Sequence, residues 1–210
     1  MLKTRHVIFI FLPALIVAGF VLFIRIIQFS PANPASQTTN NNTTISVPIY
    51  PEDPILGDKN ASKKIIIFGD YGCSHCQTEF ELLNLILEKH KDVAFVWKGL
   101  SVTTFPISTA LTHEYAYCAN QQNKFLEFAN FAFQNNTNLI EDTLKQISEV
   151  VSLDNEKLTA CLASDKPKNY LKTINQLALS LNFDAIPAIF INNKKINNPQ
   201  LLEEWEDLLK

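Results

Sequence analysis

The chain has only five glycines and one methionine, Met1, in 210 residues. Without a methionine or histidine cluster, a copper-carrying thiol site lacks the soft ligands that it would need. No internal repeat is visible. No long run of like charge occurs and the net charge is −3, so the concentrated basic surface required for phosphate binding is missing and nucleic acid is not expected as a partner. Four cysteines, Cys73, Cys76, Cys118 and Cys161, are too few for a dense disulfide scaffold. Hydrophobic residues make up 47% of the chain, enough for a sizeable core in one domain with extensions.

Val7 to Ile24 is a run of 18 residues without a charge, preceded by Lys3 and Arg5 and followed by Arg25. As a helix it spans about 27 Å, close to the roughly 30 Å hydrocarbon core of a bilayer. Ile26 and Ile27 extend it if Arg25 snorkels, and Pro13 is tolerable there. A cleaved signal peptide would have a shorter apolar stretch and a small-x-small site, which Ser30-Pro31-Ala32 fits poorly. No cysteine lies near the end of the run to accept lipid. The reading is an uncleaved anchor: residues 1–29 form a cytoplasmic tip and a single transmembrane helix, and the rest lies on the periplasmic or extracytoplasmic side of the cell (inner) membrane. That compartment lets disulfides persist. Residues 30–50, rich in Asn, Thr, Ser and Pro, read as a flexible tether, and the folded domain is expected over 51–210.

Ile65, Ile66, Ile67 and Phe68 predict a buried strand. After a break at Gly69 to Gly72, helical spacing runs from Cys73 to about His90, and Asp92 to Trp97 reads as a second strand. From about 108 to 181 the pattern is helical throughout, with Phe125, Phe128 and Phe131 or Ala132 as core positions. Ala188 to Ile191 and Lys194 to Ile196 suggest a hairpin about Asn192-Asn193. Asn198-Pro199 reads as an N-cap and first helical residue, leading a helix over Leu201 to Leu209. The order describes an α/β sheet domain with a helical insertion.

Cys73-Ser74-His75-Cys76 falls where the buried strand ends and a helix begins. A sulfur at a helix N-terminus meets unpaired N–H groups and the positive end of the macrodipole, and His75 adds a donor or positive charge. Both lower the thiol pKa and raise the fraction of thiolate, the reactive species. Cys73 is the expected exchanging sulfur and Cys76 the more buried resolving one. A zinc site would need two more ligands at suitable spacing, and Cys118, Cys161, His90 and His113 show no such pattern, so no metal is expected. A purely structural bridge across four residues would be strained and gain little loop-closure entropy. Cys118 and Cys161 admit two readings: buried free thiols packing as small hydrophobes, or a disulfide joining two helices of the insertion.

Five stretches together resemble the DsbA-like proteins of the thioredoxin superfamily. They are Asp53 to Gly57, Phe68 to Cys76, Ala116 to Asn120, Lys124-Phe125, and Ile186-Pro187 before Ile189 to Asn192. The resemblance covers about Asp53 to the end. It implies a thioredoxin fold with a helical cap and a cis Pro187 packed against the cysteine pair. It also implies that Ile186 offers its backbone to a bound substrate strand, and Ser74 is a second candidate substrate-binding residue. The expected activity is thiol–disulfide oxidoreduction that introduces disulfides into reduced exported proteins, with the Cys73–Cys76 disulfide as the redox centre and no other cofactor. Reoxidation by a membrane quinone-linked partner is a family inference. The same motif also serves a tethered reductase or isomerase, and a non-catalytic metal-delivery domain could keep the fold. The chain departs from the family at Ile67, where many members carry a glutamate, and at Ser74, where proline is frequent.

Overall fold

A computed structural model of the chain describes residues 19, 20, 22, 23 and 46–210. The chain divides into two units, residues 1–42 and 43–210. In the first, Gly19, Phe20, Leu22 and Phe23 are helical and exposed. The remainder of the membrane helix read over 7–24, and the tether up to residue 45, lie outside the described residues. Among the described residues no helix is long and apolar enough to cross a membrane.

The second unit is built on a five-stranded sheet of order β1-β3-β2-β4-β5. The strands are β1 (Ile55–Gly57), β2 (Lys63–Gly69), β3 (Val93–Gly99), β4 (Ala188–Ile191) and β5 (Lys194–Ile196). Helix α1 (Ser74–Lys89) carries the chain from β2 to β3, which pair in parallel, and the other pairings are antiparallel. Between β3 and β4 run α2 (Ala110–Asn120), α3 (Phe125–Gln134), α4 (Glu141–Val150), α5 (Asn155–Leu162) and α6 (Lys166–Leu181), and α7 (Leu202–Leu208) follows β5. The period of two divides the strands between two cores. Ile65, Ile67, Phe95 and Trp97 face Phe80, Leu83 and Ile86 of α1 and Trp205 of α7. Ile66, Phe68, Val96 and Phe190 face Ile174 of α6 and the loop residue Phe183. This is the expected α/β sheet with a helical insertion.

Two local expectations are corrected, the domain start and the Asn198 cap, while one strand is added and one open alternative is decided. The three-residue strand β1, too short to leave a pattern, pairs with β3. The packed unit begins before residue 51: Val47 is buried and its N–H donates to Asn193 Oδ1 at 2.9 Å. In α3 the core position falls to Ala132, whereas Phe131 is 36% exposed. Asn198 does not cap the last helix. That helix starts at Leu202, its preceding amides at Gln200 and Leu201 donate to Glu204, and the Asn198 amide is used elsewhere.

Cys118 and Cys161 are joined, fastening α2 to α5 with their Cα atoms 5.9 Å apart. Closing a loop over a sequence separation of 43 residues is worth about 4 kcal/mol on the chain-entropy account. Replacing both cysteines with alanine should lower the free energy of unfolding in urea by about that amount, and an unchanged midpoint would mean that the bridge adds nothing.

Candidate active site

The site forms where β2 runs out. Gly69 must be small, because a Cβ there would sit 2.7 Å from the Trp97 ring. Asp70, Tyr71 and Gly72 make the turn, and Cys73 becomes the N-cap of α1 with extended backbone angles. Its Sγ accepts from the backbone N–H of Cys76 at 3.2 Å, as an N-cap side chain does. Cys73 is partly exposed, and Cys76, one turn on, is fully buried. The two thiols titrate far apart. The Cys76 thiol and the backbone amides of Cys76 and His75 donate toward the Cys73 sulfur and bring its pKa down to about 6, against burial and the negative charge of Asp70. Holding that thiolate, together with burial, pushes Cys76 far up. The His75 amide is thus one of the unpaired helix-terminal N–H groups that the sequence placed at this sulfur.

The Ile186–Pro187 bond is cis, and Pro187 is buried. Asn198 donates its side-chain amide to the Pro187 carbonyl at 2.6 Å. His75, Ile186 and Pro187 thus come together around a polar cleft of about 220 Å³, joined there by Thr78, Glu79 and Asn198. Ser74 is exposed at the first turn of α1. On another side of Ile186 lies a larger, mainly apolar groove of about 550 Å³, walled by Leu100, Val102, Ala178, Leu179 and Phe183.

Three buried polar groups near the sheet were not singled out as pairs by sequence. Asp70 accepts from the N–H groups of Gly72, Val102 and Thr103 at 3.2, 2.9 and 2.6 Å. An ionised carboxylate only accepts, so His113 Nε2, 3.2 Å from Asp70 Oδ1, is the donor there. Burial opposes ionisation of Asp70, yet the bond and charge of His113, with hydrogen bonds from the Thr109 side chain and the Thr103 backbone, hold its pKa well below the carboxylate range. Any Cβ on Gly99 would collide with the His113 ring, so the bare glycine lets α2 reach the active-site turn. Next, Lys98 of β3 pairs with Asp53 at 2.5 Å, both side chains fully buried, and Tyr170 of α6 donates to the same carboxylate at 2.7 Å. Finally, Glu79 of α1 is 2% exposed and accepts from Trp205 Nε1 at 2.6 Å. Burial raises its pKa to about 7, against that bond. Ile67, the position where an acid is frequent, is fully buried among apolar neighbours.

Residues 50–210 match the thioredoxin family model. A Rickettsia typhi protein, provisionally named a protein-disulfide oxidoreductase, is 24% identical over 166 residues, covering 74% of this chain and 60% of that protein. The chain thus spans less than two thirds of that relative's length. A periplasmic thioredoxin-like protein from Salmonella enterica serovar Typhimurium superposes with a TM-score of 0.67 at 23% identity, over 76% of this chain and 89% of that one. The thiol-disulfide exchange protein alpha-DsbA2 from Wolbachia pipientis gives 0.66 at 14% identity, over 75% and 87%. With a family match over more than half its length and a Cys-x-x-Cys pair at the start of the helix that follows β2, this chain belongs to the thioredoxin family.

Proposed function

We propose that the protein is a membrane-anchored thiol–disulfide oxidoreductase that passes the Cys73–Cys76 disulfide to reduced proteins outside the cytoplasm. One observation carries the reading: a partly exposed thiol at a helix N-terminus with its pKa near 6, beside a buried thiol whose pKa is pushed up. The names of the Rickettsia and Wolbachia relatives agree with the chemistry. A client thiolate attacks Cys73 Sγ, the Cys73–Cys76 bond breaks, and its electron pair leaves on Cys76. A second client thiolate then attacks the client sulfur of the mixed disulfide and expels Cys73 as a thiolate. The client dithiol is oxidised and the pair is reduced, with no cofactor beyond the disulfide itself. Cys73 and Cys76 are the exchanging sulfurs, and His75 and Pro187 border them. The backbone of Ile186 offers an edge to the client strand, and the exposed Ser74 is a second client contact. Stabilising the Cys73 thiolate favours the reduced pair and so drives donation of the disulfide. Residues 7–24 anchor the protein, and a quinone-linked membrane partner restores the disulfide. The opposing reading, a tethered reductase or isomerase, uses the same sulfurs at a lower potential.

Equilibrating the full chain in glutathione buffers separates the directions. A potential near roughly −120 mV is expected for a disulfide donor, and one near roughly −270 mV would assign the chain to reduction.

A further inference from the structure

Asp70 stands three residues before Cys73, and the Cys73 N–H donates to its carbonyl at 3.2 Å, so the turn folds the two residues together. The Asp70 carboxylate is fully buried and fixed by four donors, the N–H groups of Gly72, Val102 and Thr103 and the His113 ring. Gly72 lets the Thr103 loop close directly over it, since a Cβ there would lie 2.7 Å from Thr103 Oγ1. The result is a fixed negative charge set behind the exchanging sulfurs, where water and salt screen it little. It opposes ionisation of three neighbouring acids, the thiols of Cys73 and Cys76 and the hydroxyl of Tyr71. We propose that Asp70 is a positioning residue that restrains the pair electrostatically, its fixed charge making the Cys73–Cys76 disulfide a weaker oxidant than the helix N-terminus alone would make it.

The proposal rests on the oxidoreductase reading. In each donation two electrons pass from the client dithiol to the pair. One client proton ends on Cys76 and the other is released, because Cys73 leaves as a thiolate. The disulfide carries no charge and the reduced pair carries one, on Cys73. A fixed negative charge beside the pair therefore raises the free energy of the reduced form and leaves the oxidised form as it was. Against it stand the amides of His75 and Cys76 and the Cys76 thiol, which favour the thiolate. The His113 charge on the far side of Asp70 offsets part of its field. The same turn thus holds a device that strengthens the oxidant and another that limits it.

The test is the redox equilibrium of the full chain with glutathione at pH 7, read together with titration of the Cys73 thiolate by its ultraviolet absorbance. Asp70→Asn removes the charge and keeps an acceptor for the Val102 and Thr103 amides. It should shift the equilibrium toward the reduced protein by about tenfold, equivalent to roughly 30 mV. Its Cys73 should titrate below the wild-type value of about 6. His113→Gln removes the cation and keeps a donor to Asp70, so both readings should move the other way. A loosened turn would lower stability in both variants, but it would not send the two potentials in opposite directions. An Asp70→Asn protein whose potential and Cys73 titration stay at the wild-type values overturns the proposal; if that variant does not fold, unmoved readings in His113→Gln overturn it instead. Wild-type turnover no faster than that of Cys73→Ala would be a different failure, that of the oxidoreductase reading itself.

Discussion

Replacing Cys73 with alanine should bring dithiol exchange down to the uncatalysed background, while Cys76→Ala should hold clients as long-lived mixed disulfides. The asymmetry follows from burial. Cys73 is the sulfur that a client can reach, and Cys76 is closed to solvent. With a pKa near 6, Cys73 is about nine-tenths thiolate at pH 7, against a few per cent for an ordinary thiol, a gain of roughly thirtyfold in the reactive form. The lower basicity takes back part of that gain in attack, but it makes Cys73 the better leaving group when a client is released. Turnover of a fluorescent dithiol peptide measures the first effect, and a non-reducing gel the second. Turnover by Cys73→Ala would mean that the exchanging sulfur lies elsewhere.

The second large effect is on the fold. Asp53→Ala should destabilise the protein by about 3–5 kcal/mol, because it leaves Lys98 buried and charged without a partner. It also strips the Tyr170 hydroxyl of its acceptor. The double replacement Asp53→Ala with Lys98→Met should be milder than the single one, since no charge then remains inside. Urea unfolding of the three proteins decides the matter. A single variant as stable as the wild type would mean that water reaches Lys98.

What could be read from the chain beforehand was what is local. Cys73 to Cys76 stand within one helical turn, and the break from the Ile65 to Phe68 run to helical spacing placed them at a strand–helix junction. Ile186-Pro187 gained meaning only beside that pair. The polar anchors were invisible because their partners are remote: Asp53 and Lys98 are 45 positions apart, Asp70 and His113 are 43 apart, and Glu79 and Trp205 are 126 apart. Lys98 sits inside an apolar strand, and nothing nearby in the sequence says which acid meets it. Glu79 reads as one more polar residue on an amphipathic helix until α7 packs over it. Asn198 shows the opposite failure. Its local signal was clear, yet the Pro187 carbonyl eleven positions upstream won the side chain, because a buried acceptor beside the cleft needs a donor more than an exposed helix end needs a cap.

The margins of the sheet bear on the company that this protein is proposed to keep. Unfinished chains carry free strands, and an open sheet invites them to stack on and precipitate. At one border β5 is three residues long and turns Lys194 and Lys195 to solvent. At the other, β1 is three residues long and ends in Gly57 with φ at +85°, a left-handed conformation that does not continue a regular strand. Neither border offers a template for fibril growth. On the proposed function, such borders would let the protein engage half-made polypeptides by their cysteines without being recruited into their aggregates.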